Sequence, residues 1–272
     1  MEGSFDFKIN VTKDSDLRIL ERTSLNRICD ISDWRSTGEI CIIMRTLGEE
    51  VFIHRKAWEY AYCIYGLTQL GVVKSDSKAI AVGAGHERPL YYFANKITKI
   101  IATDLYNNWG MDGDSSMLIT PEKFATFPYR KENLAVYQMS GTDLKFPENS
   151  FDFAFTLSAI EHFGSRENIK TAMSEIFRVL KPGGILCLTT ELVLNNTHHP
   201  EFFTFDEFKK YILESTDMKL VGGEMDLRIS RSIVLNPIDL DVEKNLNISP
   251  HIVLKQGNVI WTSIICFLQK PT

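Results

Sequence analysis

A chain of 272 residues, 44% hydrophobic and 24% charged, is long enough to bury one large core, with or without an appendage. Its net charge of −5 gives no attraction to a polyanion, which argues against nucleic acid as a substrate. No apolar stretch reaches membrane-spanning length, the polar N-terminus is no secretory signal, and Cys29, Cys41, Cys63, Cys187 and Cys266 lack metal or redox spacing. The expectation is therefore a cytoplasmic protein with reduced thiols.

Residues 1–50 are mixed and polar, with a short apolar run at 40–44. Across 55–70, Ala57, Ala61, Ile64 and Tyr65 fall at helical spacing and Gly71 supplies a stop, predicting a helix beside a sheet. The expected division is an N-terminal helical extension over residues 1–70, lying as a lid over the ligand cleft, followed by one α/β domain over 71–272.

That domain opens on its most informative segment. An apolar strand at 78–82 stops at Gly83-Ala84-Gly85, Pro89 suits the first turn of a helix, and a second strand at 99–104 ends in Asp104. The two glycines let backbone approach a ligand where a Cβ would collide. Asp104 lies about 20 residues beyond the turn, where a carboxylate can accept from both ribose hydroxyls. An adenosine-type cofactor is expected here. Arg88 stands where a dinucleotide fingerprint needs its third glycine, and no Gly-Lys-Ser/Thr phosphate loop occurs, so NAD, FAD, ATP and GTP are disfavoured.

The connection from 105 to 133 is long, with a loop at 107–114 and a short helical piece at 121–127; loops of that length are more often functional than decorative. Further strands are expected at 134–138, 151–157 and 185–190, with a helix at 166–180 capped by Ser165 and ended by Lys181-Pro182-Gly183-Gly184. Thr204 to Glu207 has the form of a capping box and opens a helix to about 213. Two last strands are placed near 218–229 and at 259–268. The alternation predicts an α/β, Rossmann-like, doubly wound and mainly parallel sheet.

Two further segments, Phe146-Pro147-Glu148-Asn149-Ser150-Phe151-Asp152 and Leu180-Lys181-Pro182-Gly183-Gly184, complete a pattern with the glycine turn and Asp104. Over residues 78–190 the chain resembles the class I S-adenosylmethionine (SAM)-dependent methyltransferases, in the type 11-like branch. The resemblance implies seven strands with an antiparallel member at the C-terminal end, and SAM as cofactor. It places SAM against Gly83, Ala84, Gly85, Asp104 and Leu105, with Ser140, Gly141 and Thr142 toward adenine and Ser158 at the exit of strand four.

The chain departs from the resembled pattern at Ala81, where relatives carry an acid near the SAM ammonium, and at Glu87, where they carry a glycine. Glu87 is the candidate for supplying that charge, the bland alternative being a favourable place at a helix N-terminus. Ser140 replaces an Asp that commonly accepts from adenine, with Asp143 as a substitute.

For a hydroxyl acceptor, a base must take a proton during attack. Glu161 and His162 follow strand four, and histidine is the residue type most suited to take a proton near neutral pH; the pair could equally fix the loop by hydrogen bonds. His199, in a loop after strand five, is the next candidate. A metal set of Glu161, His162 and His198 or His199 lacks a ligand that some relatives have, since position 158 is Ser; no metal is expected. Trp58, Tyr62, Trp109, Phe202, Phe203 and Phe205 are candidates for an apolar or sugar-stacking pocket, although half or more of them fit an ordinary core.

The function expected is methylation of a small-molecule hydroxyl, on a sugar or secondary metabolite. The alternatives are a SAM-binding regulatory or assembly domain without catalysis and, less favoured, a dehydrogenase-type nucleotide binder. No nucleic-acid or membrane partner is expected, and a homo-oligomer stays open.

Overall fold

Strands that read as continuous apolar runs need cover on both faces. In the computed structural model, Ala79 through Val82 and Ile100 through Ala102 are all buried, as are Phe153, Ala154 and Phe155. The structure describes residues 6, 8–19, 22–34, 38–48, 52–107, 114–195, 197–245 and 248–272.

The parallel strands are β1 (Lys78–Val82), β2 (Lys99–Asp104), β3 (Leu134–Gln138), β4 (Phe151–Leu157) and β5 (Leu180–Val193). They lie in the order β3-β2-β1-β4-β5. β6 (Lys219–Leu220) and β7 (Val259–Gln269) follow, with β7 antiparallel to β5 and to β6. With Arg27–Ile28, Ile238–Asp239 and Leu254–Gln256 the sheet has ten strands among the described residues, not the seven expected, because short segments pair on beyond β7. The strand order reverses between β1 and β4. In open α/β sheets, that reversal opens a crevice beyond the carboxyl ends of the strands.

Three helices bear on the crevice: α1 (Arg55–Gln69), α2 (Arg88–Ala94) and α3 (Arg166–Val179). Helix α3 is amphipathic, burying Ile169, Ala172, Met173 and Ile176, and Ser165 caps it by accepting from the Asn168 N–H. Helix α1 buries Trp58, Ala61, Tyr62 and Leu67 in the same core as the sheet. The chain before residue 71 is woven into that core elsewhere too. Arg27–Ile28 pairs with β7, and the Asn26 side chain accepts from Phe267 N while donating to Val221 O.

Several boundaries differ from those expected. Only Lys219–Leu220 of the strand placed near 218–229 joins the sheet, because Gly222 and Gly223 take left-handed backbone and break the run. Arg228–Ser230 instead pairs in parallel with Asn10–Thr12 in a separate two-stranded sheet. β5 is longer than 185–190: it starts at Leu180, and Lys181-Pro182-Gly183-Gly184 forms its irregular entry, with a register shift against β4. The capping box at Thr204 is present, and its helix turns π-type over Lys209–Leu213. The helical piece after residue 120 is a single short turn, Pro121–Phe124. Most of the 107–114 loop, Trp109 included, lies outside the described residues.

The outer edge of β7 is covered in succession by Leu254–Gln256, Arg27–Ile28 and β6. Covering an edge in pieces protects it from pairing with another chain. All five cysteines are buried and free. No helix among the described residues is long and apolar enough to cross a membrane.

Candidate active site

At the end of β1 the chain turns sharply through Gly83 (φ 67°) and Gly85 (φ 44°), conformations that L side chains seldom adopt. A Cβ on Gly83 would stand 2.6 Å from the Ala159 methyl. The turn is stitched to β2 on both sides. Ala84 N donates to Thr103 O at 3.0 Å, and the Thr103 hydroxyl donates to Ala81 O at 2.9 Å. The buried Tyr106 hydroxyl donates to Gly85 O at 2.9 Å.

Asp104 closes β2 with its carboxylate held by backbone. Oδ2 accepts from Gly85 N at 2.9 Å and Oδ1 from Leu105 N at 2.6 Å. A carboxylate has about four acceptor positions, so two remain for hydroxyls presented from the crevice. Beyond β3, Ser140 Oγ accepts from Thr142 N at 3.2 Å and lies 2.8 Å from Thr142 Oγ1. Gly141 is pressed against the Phe163 ring, which a Cβ there would meet at 2.5 Å.

These segments surround a cavity of about 680 Å³. Of the residues expected at the cofactor, Gly83, Gly85, Glu87, Asp104, Leu105, Ser140, Gly141, Thr142 and Ser158 line it. Ala84 does not: it is buried in the turn beneath. Asp143 is also outside the lining, so the substitute suggested for Ser140 does not reach it. Ser158 has φ 50°, an uncommon conformation for a non-glycine residue and a mark of stored strain at functional sites.

The three candidate acid–base groups separate. His162 lines the cavity, with Nδ1 3.3 Å from Glu201 Oε2. Glu161 faces away from it and is wholly buried. Its Oε2 accepts from the Thr190 hydroxyl at 2.9 Å, and its Oε1 has no hydrogen-bond partner. Burial, and then the negative charge of Glu191, push its carboxyl up to about 8. His199 lies outside the cavity, stacked on Phe202 with ring centroids 3.8 Å apart. Its Nδ1 accepts from Glu201 N and Phe202 N at 3.2 and 3.0 Å, so it holds the loop, and burial lowers its pKa.

None of Trp58, Tyr62, Phe202, Phe203 and Phe205 lines the cavity. Trp58 is a core residue whose Nε1 donates to Asp33 at 2.9 Å. Among the described residues, no group of three His, Cys, Asp or Glu could hold a metal ion.

Sequence reasoning missed Lys56, Tyr60, Met139, Phe163 and Asn168, all of which line the cavity. Lys56 and Tyr60 sit one turn apart on α1, so an i,i+4 reading of that helix could have flagged them. Lys56 Nζ donates to Leu157 O at 2.7 Å, to Glu59 at 3.2 Å and to Glu87 at 3.3 Å. Burial would lower this ammonium, but Glu59 and Glu87 outweigh it and hold its pKa well above the ordinary lysine value. Alongside it, Arg55 pairs with Glu191 on β5.

Residues 80–188 match the family described as methyltransferase domain. The sterol 24-C-methyltransferase of Aspergillus fumigatus is 32% identical over 117 residues, 43% of this chain and 28% of that protein. The Neurospora crassa enzyme of the same name is 32% identical over 133 residues, 48% of this chain and 32% of that protein. The chain thus spans about a third of the length of these curated relatives. Among solved structures, the cyclase SpnF aligns with a TM-score of 0.52 at 14% identity, covering 85% of this chain and 92% of that one. A phosphoethanolamine N-methyltransferase of Haemonchus contortus, in complex with S-adenosylhomocysteine, gives 0.51 at 13%, covering 88% and 58%. At such identities the structures establish the fold, which a cyclase and a methyltransferase share. The acid beside the glycine turn keeps free acceptor positions on the wall of a cavity of about 680 Å³, so the residues present suit an adenosyl cofactor. On the family match, the strand order and this cavity, residues 80–188 form a class I SAM-dependent methyltransferase domain, and SAM is its cofactor.

Proposed function

We propose that the chain methylates a small-molecule acceptor at a hydroxyl, with His162 as the proton acceptor. When bound, SAM supplies an already activated methyl group, so the protein's share of the work is positioning and moving one proton. The observation that carries this reading is the place of His162: it is the only histidine lining the cavity among the described residues, and a carboxylate oxygen of Glu201 is 3.3 Å from its Nδ1. A carboxylate on Nδ1 orients the ring and favours the tautomer whose Nε2 is free to accept. The neutral acid Glu161, one residue earlier, is buried behind the loop and acts as its anchor through Thr190.

A second reading, methyl transfer to carbon, is supported by the sterol 24-C-methyltransferase likeness over nearly half of the chain. Incubating the protein with methyl-labelled SAM and a metabolite extract tests both. A labelled methyl ether supports the first; label on carbon supports the second. No labelled product under conditions where SAM binds would favour a regulatory binding domain. For a hydroxyl acceptor, His162→Asn is expected to lower kcat by about 100-fold or more while leaving SAM affinity within about threefold.

A further inference from the structure

An α-amino acid end carries an ammonium and a carboxylate on one carbon, so a site that grips it needs an acid and a base close together. Lys56 is the one lysine or arginine lining the cavity among the described residues, and Glu87 lies 3.3 Å from its Nζ. The other full charge in the lining, Asp104, is tied to Gly85 N and Leu105 N at the ribose end. Ala81, fully buried on β1, contributes no charge. Lys56 comes from α1 and Glu87 from the cap position just before α2, and they meet where β4 ends, at Leu157 and Ser158.

We infer that Lys56 and Glu87 form a two-charge clamp for the amino-acid end of the cofactor, Lys56 facing its carboxylate and Glu87 its ammonium; this rests on the SAM reading of the cavity. Without ligand the two side chains neutralise each other. On binding they exchange partners, so the ligand inserts two complementary charges and leaves none uncompensated. Glu59 makes this possible. It is wholly buried, contacts Lys56 Nζ at 3.2 Å and keeps it charged and in place while Glu87 is released. Leu157 O, at 2.7 Å, fixes the third N–H. The clamp brings residues before the family-matched segment 80–188 into cofactor selection, because Lys56 belongs to α1.

The test is calorimetric titration of the full chain with three probes. These are S-adenosylhomocysteine, its decarboxylated analogue, and methylthioadenosine, which keeps the nucleoside and thioether but lacks the amino acid. Wild type is expected to bind the decarboxylated analogue about tenfold or more weaker than S-adenosylhomocysteine. Lys56→Met is expected to weaken S-adenosylhomocysteine by a similar factor, to abolish the preference for the carboxylate, and to leave methylthioadenosine within about twofold. Glu87→Gln should weaken S-adenosylhomocysteine but not methylthioadenosine. Equal wild-type affinity for the first two probes overturns the clamp whatever the variants do. So does a Lys56→Met protein that keeps the full carboxylate preference, or a cooperatively folded one that loses all three probes alike. Wild type binding none of the three would overturn the cofactor reading itself, a distinguishable result.

Discussion

Asp104 Oδ2 accepts from the Gly85 backbone N–H at 2.9 Å, a bond that ties the end of β2 to the turn after β1 across 19 residues. The acid that would hold a ribose is thus also a strut of the glycine turn. Asp104→Ala removes the acceptors and loosens the turn together. The expected outcome is a rise of about 10- to 100-fold in the Kd for S-adenosylhomocysteine. Asp104→Asn keeps one acceptor for the Gly85 N–H and should lose less. Titration of both variants beside wild type checks the order.

Phe163 and Gly141 make a steric pair. A methyl on Gly141 would stand 2.5 Å from the ring and 2.9 Å from Val82 Cγ1. Gly141→Ala is expected to cost about 1–3 kcal/mol by overpacking and to weaken cofactor binding as the ring shifts toward the cavity. Adding Phe163→Leu should recover part of both losses, and the shortfall from additivity measures the coupling. Additive effects would mean that the ring is not what Gly141 accommodates.

The carboxyl of Glu161 should give stability a pH signature. Burial raises its pKa from 4.5 to about 8 in the folded state, so the folded protein holds this proton more tightly than the unfolded chain. Stability from this group is complete below the unfolded pKa, falls by about 1.4 kcal/mol per pH unit as pH rises between the two values, and is lost above about pH 8. Glu161→Gln keeps an acceptor for Thr190 and cannot ionise. Its stability relative to wild type is expected to rise with pH over that window, measured by denaturant unfolding at a series of pH values. A constant difference would show that Glu161 does not retain its proton.

Trp58 separates packing from cofactor recognition. It is fully buried, and its Nε1 donates to Asp33, which also meets Arg22 and Arg27. Trp58→Phe leaves that acceptor short of a donor and opens a void. The expected cost is about 1–3 kcal/mol in unfolding free energy, with SAM affinity unchanged. A selective loss of affinity would return Trp58 to the site.

The frame of β1 to β5 was legible because those strands are continuous apolar runs, each punctuated by a turn signal whose chemistry is local. Gly83, Gly85 and Asp104 line the cavity as their places at strand ends imply, and Gly141 and Thr142 line it as the family resemblance implies. What could not be read was set by long-range packing. Lys56 looks like any solvent-facing lysine on α1, and only the fold brings Glu87 and Leu157 O to it. His199 looked available for proton transfer, whereas two backbone N–H groups occupy the nitrogen it would use. The run expected near 218–229 is broken because Gly222 and Gly223 take left-handed backbone there.

β7 has one more consequence. Nine residue pairs, from Trp261 with Val193 to Gln269 with Ile185, zip it along β5. The segment matching the family stops at residue 188, so excising it would sever β5 midway and strip this zipper away. The bared strand would recruit pairing from other molecules and drive aggregation. The methyltransferase domain here is therefore no transplantable cassette: its sheet is completed by residues that lie before and after the matched segment.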